Sequence, residues 1–507
     1  MNKLNNIKNK LYLLLIFSVI IRIIAAYYIE FGNDEVYYWL YAKFPDYSHF
    51  DHPPMVGLFI QLFSLNLTFH NELAIRFSSI IIGCLNTIII FKIGERIKDR
   101  LCGFYAALLY NCSIYCFIIV GVFILPDTPF LFFWLTSIYL LFPVLTNERI
   151  DKSVKIKMLI AGITIGLCIV SKYHGIFLWL ITLAYIISFN RKWLKIKELY
   201  FSIFISFILF IPVFYWNFKN NFISFAFQGE RINLIKGGIN IKSFFTELFG
   251  QILYNNPINV AIFVLVLIKL KQKSFLIEKA KKRFLIFFSI PMICFFLFFS
   301  LFRNTLPHWS APGYITLIIL AGLYFSDISR NKTPIVLKSA AGLLIIFLSL
   351  SFSQIKFGLL NLGKNDPTLD MYGWHQLKSG FEHIYKKNLS EKIIDSNVCL
   401  VSSRWFPASH IDYYVATPLK IDLFAIGSID KIHKYAWVNQ QRGNIKCDAY
   451  CIVQESNGIN LTVQYKDYFS SINLIDSIPI NRNNKIVKQY FVYIMHNYNG
   501  RLFKIIE

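Results

Sequence analysis

The sequence predicts an α-helical membrane protein with about eleven transmembrane helices and a small α/β extracytoplasmic domain at its C-terminus. Of its 507 residues, 55% are hydrophobic and only 16% are charged, whereas charged residues make up about a quarter of an ordinary soluble chain. Apolar runs of roughly 20 residues, long enough to cross a ~30 Å hydrocarbon core, recur over the first two thirds. Beyond about residue 355 the apolar runs are short, such as Val398–Ser402, as expected for strands of a small α/β domain.

We place the predicted spans near residues 11–29, 73–91, 101–120, 128–146, 157–171, 175–189, 199–216, 248–268, 284–302, 309–326 and 335–353. Residues 1–354 then form the membrane domain and residues 355–507 the extracytoplasmic C-terminal domain. An N-terminus in the cytoplasm and an odd number of spans put the C-terminal domain outside.

The net charge of +23 would suit a nucleic-acid-binding protein, but the positions of the basic residues favour another explanation. The segments assigned to the cytoplasm hold 25 Lys and Arg residues, and the opposite loops up to residue 308 hold 7. Lys and Arg concentrate in the cytoplasmic loops of membrane proteins. Membrane topology therefore explains the charge, and no nucleic-acid partner is predicted. We expect a multi-pass protein of the cell inner (plasma) membrane.

The segment 54–72 is apolar but too short for a comfortable span, and a crossing there would invert the charge bias of every later loop. We interpret it as a helix lying along the outer surface. The first outer loop is then long, about residues 30–72. It carries two ionisable pairs, Asp34-Glu35 and Asp51-His52, at one membrane depth. Such groups are candidates to hold a metal, a phosphate or a reacting hydroxyl, although a solvated loop is the plainer alternative.

Three further polar breaks fall on the same predicted face of the membrane. Asp127 stands in Leu125-Pro126-Asp127-Thr128-Pro129, where it or Thr128 could simply cap a helix. Lys172 and Tyr173 occupy a tight outer turn, where the lysine either meets an anion or reaches to lipid headgroups. Arg303 and His308 lie in the outer loop between the ninth and tenth predicted spans and are candidate phosphate contacts.

These motifs, taken together and in order, resemble a known family. They are Asp34-Glu35, Phe50-Asp51-His52-Pro53-Pro54, Arg76, Leu125-Pro126-Asp127-Thr128-Pro129, Ser171-Lys172-Tyr173, Pro307-His308-Trp309-Ser310-Ala311-Pro312, Asp366-Pro367-Thr368 and Gly373-Trp374. The chain resembles the bacterial branch of the protein O-mannosyltransferase superfamily, family 39/83-like glycosyltransferases of the GT-C fold whose relatives include lipid A aminoarabinose transferases. The resemblance covers about residues 10–380.

The resemblance implies a polyprenyl-phosphate sugar donor, an active site on the outer face and inversion at the anomeric carbon. It places Asp34 as the first-loop catalytic acid and Asp127 as a second active-site acid, and Glu35 beside Asp34 is a further candidate catalytic carboxylate. Asp51-His52 stands where the aminoarabinose transferases have Glu-Lys. The donor phosphate is then left to Lys172, Arg303, His308 or a divalent cation, for which Asp34, Asp51 and His52 are candidate ligands.

The predicted function is transfer of a sugar to a lipid, glycan or protein acceptor of the cell envelope, as in lipid A modification or protein glycosylation. Two alternatives stay open: a polysaccharide ligase or polymerase, and a membrane transporter or flippase. Transporters place ionisable groups near the membrane midplane and often contain internal repeats. The predicted spans are nearly free of charges and show no repeat, which favours the enzyme.

Overall fold

The computed structural model describes residues 2–232, 238–270, 277–330, 332–394, 397–443, 445, 448–454 and 461–499. The chain forms two compact units. Unit 1 comprises Met1–Ala26 and Pro45–Leu348, and unit 2 comprises Tyr27–Phe44 and Ser349–Glu507. The predicted first outer loop is therefore shared between the units, with Asp34 and Glu35 in unit 2 and Asp51 and His52 in unit 1.

The helices follow one another in chain order. The first nine are α1 (Asn2–Tyr28), α2 (Asn33–Lys43), α3 (Met55–Phe63), α4 (Glu72–Ile97), α5 (Arg100–Cys112), α6 (Asp127–Thr146), α7 (Lys152–Ser171), α8 (Ile176–Phe189) and α9 (Lys197–Lys219). The next seven are α10 (Ile223–Ile232), α11 (Ile241–Tyr254), α12 (Pro257–Lys269), α13 (Lys279–Phe287), α14 (Ile290–Phe299), α15 (Tyr314–Ile328) and α16 (Ile335–Phe357). A π-helical turn, Tyr115–Ile119, lies between α5 and α6, and short 3₁₀ turns are Tyr173–Gly175, Arg191–Lys195, Ala311–Gly313, Gly363–Asn365 and Pro367–Met371.

The remaining elements belong to the C-terminal part. They are α17 (Trp374–Ser390), β1 (Val398–Ser402), α18 (Trp405–Ile411), a π-helical turn (Asp412–Ala416), α19 (Thr417–Leu419), β2 (Asp422–Ala425), α20 (Ile429–Ile432), α21 (Tyr435–Arg442), β3 (Asp448–Gln454), α22 (Leu461–Tyr465), β4 (Phe469–Arg482) and β5 (Lys485–Tyr498).

The chain is a multi-pass membrane protein. Within the described ranges, eight helical stretches are long and apolar enough to cross a membrane. They are Ile7–Tyr28, Glu72–Ile97, Asp127–Thr146, Lys152–Ser171, Lys197–Lys219, Lys279–Phe299, Ala311–Ile328 and Ile335–Phe357. α11 and α12 meet the same test only as a pair, bent by 96°. Each predicted span overlaps one of these eight stretches, the bent pair of α11 and α12, α5, or the shorter apolar helix Tyr173–Phe189.

Local sequence explains where several of these helices begin and bend. Asn71, Asp99 and Asp151 each accept a hydrogen bond from a backbone N–H three residues later, and thereby cap α4, α5 and α7. The bend between α11 and α12 falls at Asn256, which has a φ of 71°. Its side-chain oxygen accepts from the backbone N–H of Ile258 (3.1 Å), so one asparagine both turns the chain and starts α12.

Unit 1 is built around a helical core in which α4, α5 and α15 pack closely. A Cβ on Gly103 of α5 would lie 2.3 Å from the carbonyl oxygen of Phe91 in α4. A Cβ on Gly322 of α15 would lie 2.8 Å from the backbone nitrogen of Ala106 in α5. Small residues allow helix backbones to approach closely inside a membrane. The nine residues of α3 would span only about 14 Å, in agreement with a segment that does not cross.

Unit 2 contains a five-stranded mixed sheet with strand order β2-β1-β3-β5-β4. β1 pairs in parallel with β2 and β3, while β3, β5 and β4 pair antiparallel. β4 and β5 form a hairpin whose turn, Asn483-Asn484, has positive φ angles of 51° and 61°, as two-residue hairpin turns require. The predicted fold class, a polytopic helical protein with a small C-terminal α/β domain, is confirmed.

The orientation of the helices stays a prediction and can be tested with topology reporters. A reporter active only outside the cytoplasm is expected to work when fused after Lys43, Asn221 or Gly373 and to fail after Lys98, because basic residues hold the intervening loops in the cytoplasm. An active fusion after Lys98 would mean that the segment 54–72 crosses the membrane, and the assignment of an outer face to the site would then be wrong.

Candidate functional site

A buried ion pair forms the centre of the polar cluster in unit 1. The ammonium of Lys172 donates to Oδ1 of Asp127 at 3.0 Å and to Oδ2 at 2.9 Å. Only 3% of the Lys172 side chain and 5% of the Asp127 side chain are exposed. The hydroxyl of Tyr115 also donates to Oδ1, at 3.0 Å. Burying either charge without its partner would destabilise the fold, so the two side chains must be held in contact with each other.

The chain holds this pair between two helix ends. α6 begins at Asp127, directly after Pro126, and α7 ends at Ser171, directly before Lys172. Neither Asp127 nor Thr128 caps α6, so the capping alternative is not what the structure shows. The hydroxyl of Thr128 instead donates to the carbonyls of Val120 and Phe123, both at 3.1 Å. The Asp127 carboxylate is thus left for Lys172 and Tyr115.

Three histidines, His52, His174 and His308, lie within electrostatic range of the pair, and His52 and His308 belong to the predicted site. Burial lowers the pKa of His52 to about 4, and the charges of Asp51, Lys172 and Asp127 act on the same ring. Burial likewise lowers the pKa of His308 to about 4, with Lys172 adding to the effect and Asp127 opposing it. Both imidazoles are therefore neutral near pH 7, and neither adds a positive charge to the cluster before a substrate binds.

These depressed pKa values make the stability of the fold pH-dependent. Below the ordinary pKa of 6.5 the unfolded chain takes up protons that the folded chain does not, so stability is complete above about pH 6.5 and falls as the pH drops toward 4. The loss at pH 5 is expected to be about 2 kcal/mol per histidine. Thermal unfolding in detergent at pH 7.5 and 5.0 measures it. His308→Gln should reduce the difference, and an unchanged difference would contradict the assignment.

Helix α10 covers the loop that carries Asp51 and His52. The side-chain amide of Gln228 donates to the carbonyl of Asp51 at 2.6 Å. The rings of Phe50 and Phe227 have centroids 4.5 Å apart. The hydroxyls of Tyr173 and Ser224 are 2.9 Å apart, which connects α10 to the turn after α7. The guanidinium of Arg231 lies over the ring of Phe227, at 4.4 Å from the centroid, and its charge also reaches His52.

Helix α11 supports the loop that carries Arg303 and His308. The buried carboxylate of Glu247 accepts from the hydroxyl of Thr305 at 2.8 Å and from the hydroxyl of Ser310 at 3.4 Å. The hydroxyl of Ser243 donates to the carbonyl of Arg303 at 2.9 Å. A carboxylate on one helix therefore fixes both sides of this loop.

In unit 2, Asp34 and Glu35 lie in the first turn of α2, but their environments differ. Asp34 is exposed, and Glu35 is buried. The carboxylate of Glu35 accepts from the backbone N–H of Gly32 at 3.1 Å and so caps the helix to which it belongs. The N-terminus of a helix favours a negative charge, so the position of Asp34 suits an ionised carboxylate.

Unit 2 holds α2 at both ends through polar contacts with the C-terminal part of the chain. At the start, the amide of Asn33 donates to Asp370 (2.8 Å), and its oxygen lies 3.1 Å from Nε2 of His410. At the end, Lys43 donates to the fully buried Asp412 at 3.3 Å. Burial would raise the pKa of Asp412, but Arg442 and Lys43 hold it below its usual value.

The structure thus places Asp51, His52, Asp127, Lys172, Tyr173 and His308 around one cluster in unit 1. Arg303 belongs to the loop of the same unit that α11 supports, and Asp34 and Glu35 belong to unit 2. Within the described ranges, no group of three or more His, Cys, Asp or Glu residues is arranged to hold a metal ion. The metal ligands proposed from the sequence, Asp34, Asp51 and His52, stay a prediction.

Sequence reasoning missed Tyr115, Glu247, Gln228 and Arg231, which lie beside the cluster or support its loops. Tyr115 gives no signal, since a tyrosine in an apolar run is ordinary. The sequence Gln228-Gly229-Glu230-Arg231 is a polar interruption in the outer loop 217–247, and it could have marked the helix that covers the site. Glu247 is an isolated carboxylate at the edge of a predicted span, which is a functional signal in membrane proteins.

Comparisons with known proteins give a match in sequence for part of the chain and a match in fold for nearly all of it. Residues 51–216 match the family described as dolichyl-phosphate-mannose-protein mannosyltransferase. No curated protein matches the chain in sequence. ArnT from Cupriavidus metallidurans bound to undecaprenyl phosphate superposes with a TM-score of 0.63 at 13% identity, covering 95% of this chain and 97% of that one.

Two further solved structures are also similar to this chain in fold. The apo state of the same ArnT matches with a TM-score of 0.63 at 12% identity, covering 95% of this chain and 97% of that one. The oligosaccharyltransferase of Archaeoglobus fulgidus in its apo form matches with a TM-score of 0.48 at 13% identity, covering 88% of this chain and 69% of that one. Over 95% of its length the chain has the fold of the ArnT structures, which confirms the GT-C fold that the sequence resemblance implied.

Proposed function

We propose that this chain is an integral-membrane glycosyltransferase that moves a sugar from a polyprenyl-phosphate donor to an acceptor of the cell envelope on the extracytoplasmic face, with inversion. The observation that carries the proposal is the buried Asp127–Lys172 pair, positioned at the ends of two membrane helices and flanked by His52 and His308. A charged cluster at the end of a helical bundle, and not at its midplane, suits a substrate whose phosphate lies at the membrane surface.

The fold supports the same class of chemistry. One ArnT structure that matches nearly the whole chain contains undecaprenyl phosphate, and the family matched by residues 51–216 is described by a dolichyl-phosphate-linked donor. A donor of this type has a leaving group that is already a phosphate. Its departure leaves negative charge on the phosphate and positive charge on the sugar ring in the transition state, so the protein must supply fixed cations.

The charges of the cluster indicate which groups can supply a fixed positive charge to the phosphate. Lys172 is largely neutralised by Asp127, and His52 and His308 are neutral near pH 7. We infer that the donor phosphate shares Lys172 with Asp127 and takes additional positive charge from Arg231 and Arg303. A phosphate beside the imidazoles would also raise their pKa values, because an anion stabilises their charged form.

Sugar transfer from this donor needs only the acceptor hydroxyl and a base. The acceptor hydroxyl oxygen attacks the anomeric carbon, the bond from that carbon to the phosphate oxygen breaks, and polyprenyl phosphate leaves with the bonding electron pair. The hydroxyl proton must go to a base as the new bond forms. We assign it to Asp34, an exposed carboxylate in the first turn of α2, which the sequence resemblance identifies as the first-loop catalytic acid. The carboxylate of Glu35 already caps α2.

Reconstitution tests this function directly. The purified full chain in proteoliposomes, given a synthetic short-chain polyprenyl-phosphate sugar and an extract of envelope acceptors, is expected to release polyprenyl phosphate and to add one sugar mass to an acceptor lipid, glycan or protein. Mass analysis of envelopes from cells with and without the gene identifies that acceptor. Movement of the intact donor across the vesicle membrane, with no sugar transfer, would instead identify a flippase and overturn the proposal.

A further inference from the structure

A polar cavity lies in unit 2, where the chain leaves the last membrane helix. Its volume is about 260 Å³, and its wall includes the end of α16 and the tip of the β4–β5 hairpin. Three cationic side chains line it, Arg482, Lys485 and Lys488, and the described lining contains no Asp or Glu. Side-chain amides complete the polar wall: Asn361, Gln454, Asn483 and Gln489. This combination suits a phosphate-bearing ligand.

The cavity is fixed to the end of a membrane span. α16 ends at Phe357, and Gly358 follows with a φ of 62°. A Cβ on Gly358 would lie 2.6 Å from Nε of Arg482, so the guanidinium passes directly against the chain at this point. Arg482 also donates to the carbonyl of Gln354 (3.2 Å) and to the carboxylate of Asp366 (2.5 Å). Because the end of a span lies at the membrane surface, the cavity lies at the level of the lipid headgroups.

The rim of the cavity is apolar and exposed, as expected for a surface that meets lipid. Leu360 is 62% exposed and Ile486 is 64% exposed, and Phe357 and Leu362 are also exposed on the same rim. Apolar side chains at the end of a span, beside cations that can reach phosphates, are typical of an interfacial membrane contact. Ile486 follows the hairpin turn Asn483-Asn484, so the tip of the hairpin carries both the apolar contact and Lys485.

The charges of the cavity are not equivalent. Arg482 is already paired with Asp366. Lys488 is buried and donates to the carbonyls of Leu369 and Tyr372. Burial lowers the pKa of Lys488 to about 8, opposed by Asp370 and Glu30, so it remains mostly protonated at pH 7. Lys485 is exposed on the hairpin. It is therefore the cation most able to meet an incoming anion.

We propose that this cavity binds the headgroup of an anionic phospholipid of the surrounding bilayer, with Lys485 contacting the phosphate and Ile486 and Leu360 entering the acyl region. The lipid holds the hairpin of unit 2 at the membrane surface. The residues that line this cavity are not those of the cluster in unit 1, and the proposal does not depend on the identity of the sugar or the acceptor.

Native mass spectrometry of the delipidated full chain in detergent tests the headgroup contact. Phosphatidylglycerol is expected to bind more tightly than phosphatidylcholine, and Lys485→Ala to weaken phosphatidylglycerol binding about fivefold, the equivalent of about 1 kcal/mol for one lysine at a membrane surface. Lys387→Ala, which removes an exposed lysine outside the cavity, is the matched control and should change nothing. Equal binding of the two lipids, or an equal effect of both variants, would overturn the proposal.

Two additional measurements separate this ligand from other phosphates. If Lys485→Ala weakens binding of short-chain polyprenyl phosphate but not of phosphatidylglycerol, the cavity serves the substrate and the proposal is wrong. The proposal is equally wrong if free inorganic phosphate displaces the phospholipid. A photoreactive benzoylphenylalanine in place of Ile486, with the chain in nanodiscs, is expected to cross-link to phospholipid. Its failure to do so, in a protein whose unfolding temperature is unchanged, would also overturn the proposal.

Discussion

Replacing Asp34 by Asn is expected to leave the protein folded and inserted and to lower turnover by ~10²-fold or more, the usual contribution of a general base. The side chain is exposed in the first turn of α2, and Asn is also accepted near a helix N-terminus, so packing should not change. The measurement is kcat in proteoliposomes at saturating donor and acceptor. Turnover close to that of the unmodified protein would remove Asp34 from the mechanism.

The neighbouring carboxylate provides a matched control for this experiment. Glu35→Gln removes one negative charge from the same helical turn but keeps an oxygen that can accept from the backbone N–H of Gly32. We expect it to lower kcat much less than Asp34→Asn. If both variants lose activity equally, the charge of the helix terminus matters more than the identity of the base, and Glu35 returns as a candidate catalytic residue.

The second large effect is expected at the buried pair. Lys172→Ala leaves the Asp127 carboxylate buried without its cation, and Asp127→Asn leaves the ammonium unpaired. Breaking one partner of a buried pair costs about 3–5 kcal/mol, so both single variants should unfold at lower temperature and lose donor use. The thermal unfolding midpoint in detergent and kcat/KM for the donor are the two measurements.

A double variant separates structure from function. Asp127→Asn combined with Lys172→Met removes both charges at similar volume and should restore most of the stability, because replacing a buried ion pair by uncharged groups is often tolerated. If the pair binds the donor phosphate, the restored protein remains inactive, whereas recovery of kcat/KM would make the pair purely structural. Arg303→Ala, in the loop supported by Glu247, should reduce kcat/KM for the donor and leave the unfolding midpoint unchanged.

The sequence predicted the membrane architecture well, because the physics that determines it is local. An apolar run of sufficient length has to bury its backbone polar groups in a helix when it enters a bilayer. For this reason each predicted span corresponds to helical structure. The predicted and observed bounds differ where a span is not one continuous α-helix. One such break follows α5, whose regular helix ends at Cys112 before the π-helical turn at Tyr115–Ile119. Another is the bend at Asn256.

The candidate site was only partly predictable. Asp127 and Lys172 could be recognised singly, because each ionisable residue interrupts an apolar run. That they pair with each other could not be read from the sequence, since they are 45 positions apart and a helix cap was an equally reasonable use of Asp127. The supporting roles of Tyr115 and Glu247 also depend on contacts between distant segments.

By itself the sequence therefore determined that the chain is a helical membrane protein, where its spans lie, and which polar residues are exceptional. Tertiary structure alone decided which of those residues meet and which charges cancel. It also decided that residues 27–44 form one compact unit with the C-terminal sheet, although more than 300 residues separate α2 from Asp370 and Asp412. The physical reason is that hydropathy is a property of a short segment, whereas desolvation and ion pairing depend on every side chain that packs around a group.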